Sequence, residues 1–152
     1  MKTHEFFITA QKLQLLNAPK TDVMFHGLSM EPILCEGDRV VSEEVKFKDI
    51  RVGDIITSYF EDKYPTRRVV FKNKKYLTVW CENRPNRGIV DVQPHEVLGR
   101  VIARKRGEQL LTNTDAEWLE LANNALQKYQ ALSKKRAYKR IKHFIIRKLN
   151  LD

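Results

Sequence analysis

Polar and apolar positions change their period twice along the chain. Residues 3–17 place Phe6, Phe7, Ala10, Leu13 and Leu16 at helical spacing, and Asn17 and Pro19 close the pattern. This predicts an N-terminal helix with a linker over 1–21. From 22 to about 104 the period shortens to two. The runs DVMFHG, DRVVSEEV, GDIITSYF, RRVVF, YLTVWC and EVLGRVIAR are mostly separated by Gly, Asp, Asn or Pro. Short apolar runs with such punctuation predict a small, irregular, mainly β domain over 22–106. Gly107 interrupts the chain, and helical spacing then returns. Thr114-Asp115-Ala116-Glu117 reads as a capping box opening a helix from about 115 to 132. SKKRAYKRIKHFIIRKLN continues with a second helical pattern, in which Tyr138, Ile141, Phe144, Ile145 and Leu149 form one stripe among cations. Residues 107–152 are therefore expected to be a basic helical extension.

Composition narrows the class. The 152 residues suffice for one domain with a core and an appendage, and 42% hydrophobic with 31% charged residues is a globular balance. No apolar run reaches the roughly 18 residues of a transmembrane helix. The N-terminus is not expected to be a signal peptide, because Gln11, Lys12 and Gln14 break its apolar runs and it has no separate basic region. Cys35 and Cys81 form neither a C-x-x-C pair nor a ligand cluster, so reduced thiols and a cytoplasmic location are expected, with no metal and no cofactor. The net charge of +9 is uneven: residues 128–152 carry +8 and residues 1–127 carry +1. A nearly neutral body and a cationic tail predict two surfaces with separate roles.

The candidate chemistry lies in HGLSMEPILCEGDRVV, residues 26 to 41. Gly27-Leu28-Ser29-Met30-Glu31-Pro32 resembles the G-x-S-M-x-P box of the clan that contains type I signal peptidases and LexA-like self-cleaving repressors. Gly37-Asp38-Arg39-Val40-Val41 is similar to the Gly-Asp strand that follows, and Gly53-Asp54-Ile55-Ile56 to the second one. Arg67-Arg68-Val69-Val70 resembles the segment Lys-Arg-Val or His-Arg-Val, Cys81-Glu82-Asn83-Arg84 resembles Gly-Asp-Asn-Arg, and Val97-Leu98-Gly99-Arg100-Val101 resembles the closing strand. The likeness spans residues 22 to 104 in the expected order. It implies a signal-peptidase/LexA-like β-fold with Ser29 at the nucleophile position and Arg67 at the general-base position. It also implies substrate contacts at Gly27, Leu28, Met30, Pro32, Arg68, Asn83 and Arg84.

The chain departs from that pattern where the chemistry is most demanding. A nucleophilic serine needs a base that is neutral part of the time near pH 7. A buried lysine reaches that state by a large downward shift, whereas an arginine, charged far above neutral pH, would cost about 8 kcal/mol to hold neutral. Leu28 replaces the hydroxyl residue that often assists the oxyanion hole, and Cys81-Glu82 replaces the Gly-Asp of the fourth box. Arg87 stands near the place of a small hydroxyl, and Asp91 is a candidate for the aspartate of His-type relatives. His26 is the chemical alternative as base, with a solvated or packed histidine as the plain reading. Lys63, Lys72, Lys74, Lys75 and His95 are expected at the surface.

Two readings of Ser29 follow. One keeps it as the nucleophile of a serine endopeptidase that processes a peptide precursor with a substituted base. The other, placed first, has the box build a turn beside a groove that binds a peptide or precursor protein without cutting it. No anchor helix is expected from the sequence, and it has neither an Ala-Gly nor a Cys-Gly bond, which argues against a secretory signal peptidase and a self-cleaving repressor. A third class, an adaptor on an anionic membrane surface through residues 134–149, rests on the basic helix. Nucleic acid is placed behind it for lack of a recognised motif.

Overall fold

The structure is a computed structural model that describes residues 20–84 and 89–149. The predicted N-terminal helix and Arg87 lie outside the described residues. Eight strands are described: β1 Lys20–Met24, β2 Arg39–Glu43, β3 Ile55–Ser58, β4 Thr66–Lys72, β5 Leu77–Trp80, β6 Val90–Val92, β7 Val97–Arg106 and β8 Gln109–Thr112. One helix follows, α1, Ala116–Leu149. The chain is thus mainly β with a C-terminal helix. All strands join one antiparallel sheet in the order β1-β2-β7-β3-β4-β5-β6, with β8 paired to β7. The long β7 is the hub, because it also pairs β2 and β3.

Alternation along β3 explains how this sheet makes two cores. Ile55 and Ile56 are both buried yet point to opposite faces. Ile55 joins Phe25, Met30, Ile33, Leu34, Val40, Val101, Leu111 and Trp118 in the first core. Ile56 joins Ile50, Val69, Leu77, Val79, Val92 and Val97 in the second. Strands β6 and β8 extend the predicted set. Three and four residues are too short to display a period of two, and pairing to β5 and β7 makes them strands. Gly107, at φ +57°, turns the chain between Arg106 and Gln109, which face each other in the ladder. A positive φ at this position suits a two-residue hairpin, so the sheet continues to Thr112, past residue 106.

The two Gly-Asp pairs build corners of the same design. Gly37 (φ +84°) and Gly53 (φ +100°) adopt left-handed backbone. Asp38 accepts the N–H of Cys35, and Asp54 that of Arg51, each three residues back at 2.8 Å. Both carboxylates then meet an arginine of β7. Arg106 binds Asp38 with Nε and Nη2, each at 2.8 Å, and Arg100 approaches Asp54 at 3.5 Å. Burial pushes the Asp38 carboxyl up, but Arg106 and the Cys35 N–H outweigh it and hold the group below its ordinary value.

The two predicted C-terminal helices are one. No Gly or Pro stands near residue 133, so nothing breaks the backbone hydrogen bonds. At the start of α1 the Asp115 carbonyl accepts the Leu119 N–H, the first helical bond, and the Asp115 carboxylate accepts the Thr112 N–H of β8. The first half of α1 is docked. Trp118, Ala122 and Ala125 are buried, and the Tyr129 ring lies 5.5 Å from that of Trp80.

Candidate functional site

Ser29 sits in a turn between β1 and β2 whose backbone is held from both sides. Asn83 donates its backbone N–H to the Ser29 carbonyl (3.0 Å) and its Nδ2 to the Leu28 carbonyl (2.9 Å). On the other side, Glu36 accepts the Gly27 N–H and, at 2.8 Å, the Nδ1 of His26. The Gly27 N–H, followed by His26, pulls the Glu36 carboxyl below its ordinary value. Gly27 takes φ +110°, which lets the chain turn sharply from β1 into the Ser29 loop. The Glu31–Pro32 peptide is cis.

This turn opens on a cleft of about 450 Å³ across the face of the sheet that carries the first core. Thr21 and Val23 of β1, Val40 and Ser42 of β2, Thr57 of β3, Gly99 of β7 and Thr66 of β4 line it together with His26 and Ser29. The register explains the set: Val23 opposes Val40, Thr21 opposes Ser42, and Thr57 opposes both Thr66 and Gly99. Opposed residues share a face. The Thr57 and Thr66 hydroxyls are 2.9 Å apart. Val23 and Met24, which line the cleft, are each more than half exposed, as is Leu28 in the Ser29 turn. Among the described residues β1 is an edge strand, so its outer backbone groups are candidates for pairing with an added strand.

The other expected site residues fall in different places. Arg67 is opposite Ile56 in the ladder and so belongs to the face of the second core, away from Thr66 and the cleft. Its guanidinium lies over the Phe60 ring at 5.7 Å, and its Nε and Nη1 make no hydrogen bond among the described residues. Arg68 and Met30, expected to meet a substrate, are fully buried instead. Met30 fills the first core. Arg68 donates Nε to Glu82 at 2.5 Å and Nη1 to the Gly53 carbonyl at 2.7 Å, tying the second Gly-Asp corner to the Cys81-Glu82-Asn83 segment. Burial pushes Glu82 up and Arg68 down, and each partner's charge opposes the shift of the other. Lys128 of α1 adds a contact to the Glu82 carbonyl at 3.4 Å. The helix, the buried ion pair and Asn83 thus form one brace behind Ser29.

Of the remaining candidates, Pro32 and Arg84 are exposed, with the Pro32 carbonyl accepting Nη2 of Arg106 at 3.3 Å. Lys72, expected as a solvated lysine, caps the turn at Phe47–Asp49 by donating to the Phe47, Lys48 and Ile50 carbonyls at 2.6–2.8 Å. Asp91, on β6, accepts the hydroxyl of Thr78 on β5 and is not among the residues lining the cleft. Among the described residues the Ser29 hydroxyl makes no hydrogen bond to any side chain. The sequence reading missed Glu36 and the threonine pair. Glu36 precedes Gly37-Asp38 in a turn, where a glutamate reads as surface charge. Thr57 and Thr66 meet only through strand register.

No protein-family model matches the chain, and no curated protein matches it.

Proposed function

We propose that this chain is a peptide-binding relative of the signal-peptidase/LexA-like serine peptidases, acting in the cytoplasm and holding an extended segment of a peptide or precursor protein in the cleft beside Ser29. The single observation that carries the reading is the separation of parts. The cleft is open and apolar-rimmed next to Ser29, while the residue at the general-base position, Arg67, belongs to the opposite face of β4. The exposed apolar side chains at this end of β1, Val23 foremost, offer contacts to a strand laid along β1, and the β1 backbone offers the hydrogen bonds. No described helix is long and apolar enough to cross a membrane. Selection from a displayed library of unstructured peptides tests the reading. Enriched sequences should carry apolar residues at alternate positions, and Val23→Arg should abolish their binding. Failure to enrich any peptide, or binding indifferent to Val23→Arg, would overturn it.

A second reading is favoured by one contact. Glu36 holds Nδ1 of His26, and His26 and Ser29 line the same cleft. A serine, a histidine and a carboxylate that orients the histidine are the parts of a hydrolytic triad. In that case His26 takes the Ser29 proton through Nε2, and Glu36 supports the imidazolium. Ser29-dependent labelling by a fluorophosphonate, lost in His26→Ala and reduced in Glu36→Gln, would establish this reading in place of the first.

A further inference from the structure

Beyond Tyr129 the helix projects from the described sheet. From 130 to 142, and at Phe144, no described residue of α1 is buried. At about 1.5 Å per residue the stretch 130–149 reaches roughly 30 Å. Three large apolar side chains ride on this projecting half: Tyr138 is 69% exposed, Ile141 59% and Phe144 61%. Their spacing of three places them within one arc of about 120° on the helix. Lys135, Lys139 and Lys142 are exposed and flank that arc or lie behind it. Between residues 130 and 149 there are eight Lys or Arg and no Asp or Glu.

Tyr138 and Ile141 thus stay more than half exposed, and neither lines the cleft. We propose that the projecting half of α1 docks on an anionic membrane surface, lying in the plane of the headgroups with Tyr138, Ile141 and Phe144 inserted and the lysines facing lipid phosphates. This goes beyond the cleft and does not depend on what the cleft binds. The pairing of an apolar arc with an uninterrupted positive field selects a bilayer interface over its competitors. A nucleic acid would neutralise the cations but leave Ile141 in water, and a protein partner would need a groove of dense negative charge around an apolar strip. A helix with one inserted face and one basic face meets the headgroup layer on both counts. No described helix crosses a membrane, so the attachment is peripheral and reversible.

The test is flotation of the full chain with vesicles of pure phosphatidylcholine and of equimolar phosphatidylcholine and phosphatidylglycerol, at physiological salt. The expected result is partition onto the mixed vesicles and none onto the neutral ones. Each cation near an anionic surface is worth about fivefold in partition, so Lys135→Gln with Lys139→Gln and Lys142→Gln should weaken binding about 100-fold. Tyr138→Ser with Ile141→Ser should abolish it while the fold, followed by circular dichroism, persists. Three results would overturn the proposal: no partition of the wild type onto mixed vesicles; undiminished partition of the apolar double variant; or tighter binding to a DNA or RNA duplex that the apolar double variant leaves unchanged.

Discussion

Glu82→Ala should be the most damaging single change near the site. Arg68 is wholly buried, and Glu82 is its counter-charge at 2.5 Å. Removing the carboxylate leaves a guanidinium in the interior with, among the described residues, one carbonyl, that of Gly53, as its remaining hydrogen-bond acceptor. Breaking a buried pair from one side costs about 3–5 kcal/mol, because the surviving charge is not compensated. A chain of this size has a total stability on the order of 5–15 kcal/mol. With a urea slope of ~1.5 kcal/mol/M, the midpoint should fall by about 2–3 M. Trp80 opposes Arg68 in the ladder, so its fluorescence reports the transition from the affected spot. The double variant Arg68→Met with Glu82→Leu removes both charges and should recover most of the loss, since an apolar pair of similar volume is about neutral relative to a buried ion pair. A loss under about 1 kcal/mol in Glu82→Ala, or strict additivity in the double variant, would refute a buried, mutually dependent pair. Because Asn83 follows Glu82 and clamps the Ser29 turn, peptide binding should weaken in Glu82→Ala in urea-free buffer even while most of the protein remains folded.

Other outcomes follow from the same contacts. Asp38 is held below its ordinary value of 3.8, so the folded state binds its proton less readily than the unfolded chain. The stability it contributes is complete above that value and is lost as pH falls through the folded-state value. Asp38→Asn should flatten the acid limb of a stability–pH curve below pH 4, and an unchanged acid limb would contradict the Arg106 contact. Lys72→Met removes a charged donor from three carbonyls and should cost about 1–3 kcal/mol in urea unfolding; a neutral result would mean that water replaces the ammonium. Asn83→Ala should cost only about 1 kcal/mol of stability, because its backbone bond to Ser29 survives. Its peptide affinity should fall by a larger factor, measured by fluorescence polarisation.

Much of the fold is legible in the residues. The runs from Asp22 to Arg104 show the strand period, and the two Gly-Asp pairs mark corners, because only glycine takes their left-handed backbone without strain. What escapes is whatever depends on register. That Thr66 rather than Arg67 lines the cleft follows from Thr57 opposing Thr66 in the ladder, a pairing between distant residues that no local pattern encodes. Arg68 reads as a substrate contact and Lys72 as a surface cation because their partners, Glu82 and the Phe47–Ile50 carbonyls, are at least 14 residues away in sequence. Strands β6 and β8 are too short to carry a period. The helix beyond residue 132 reads as a separate element because Ser133 opens a run of cations, yet a charge run does not interrupt backbone hydrogen bonding.

The most direct measurement is to incubate a library-selected peptide with the wild-type chain and follow both binding and peptide mass. The cleft reading predicts saturable binding with the peptide recovered intact, unchanged in Ser29→Ala and abolished in Val23→Arg. Cleavage that disappears in Ser29→Ala would contradict it and assign the cleft to an active serine endopeptidase.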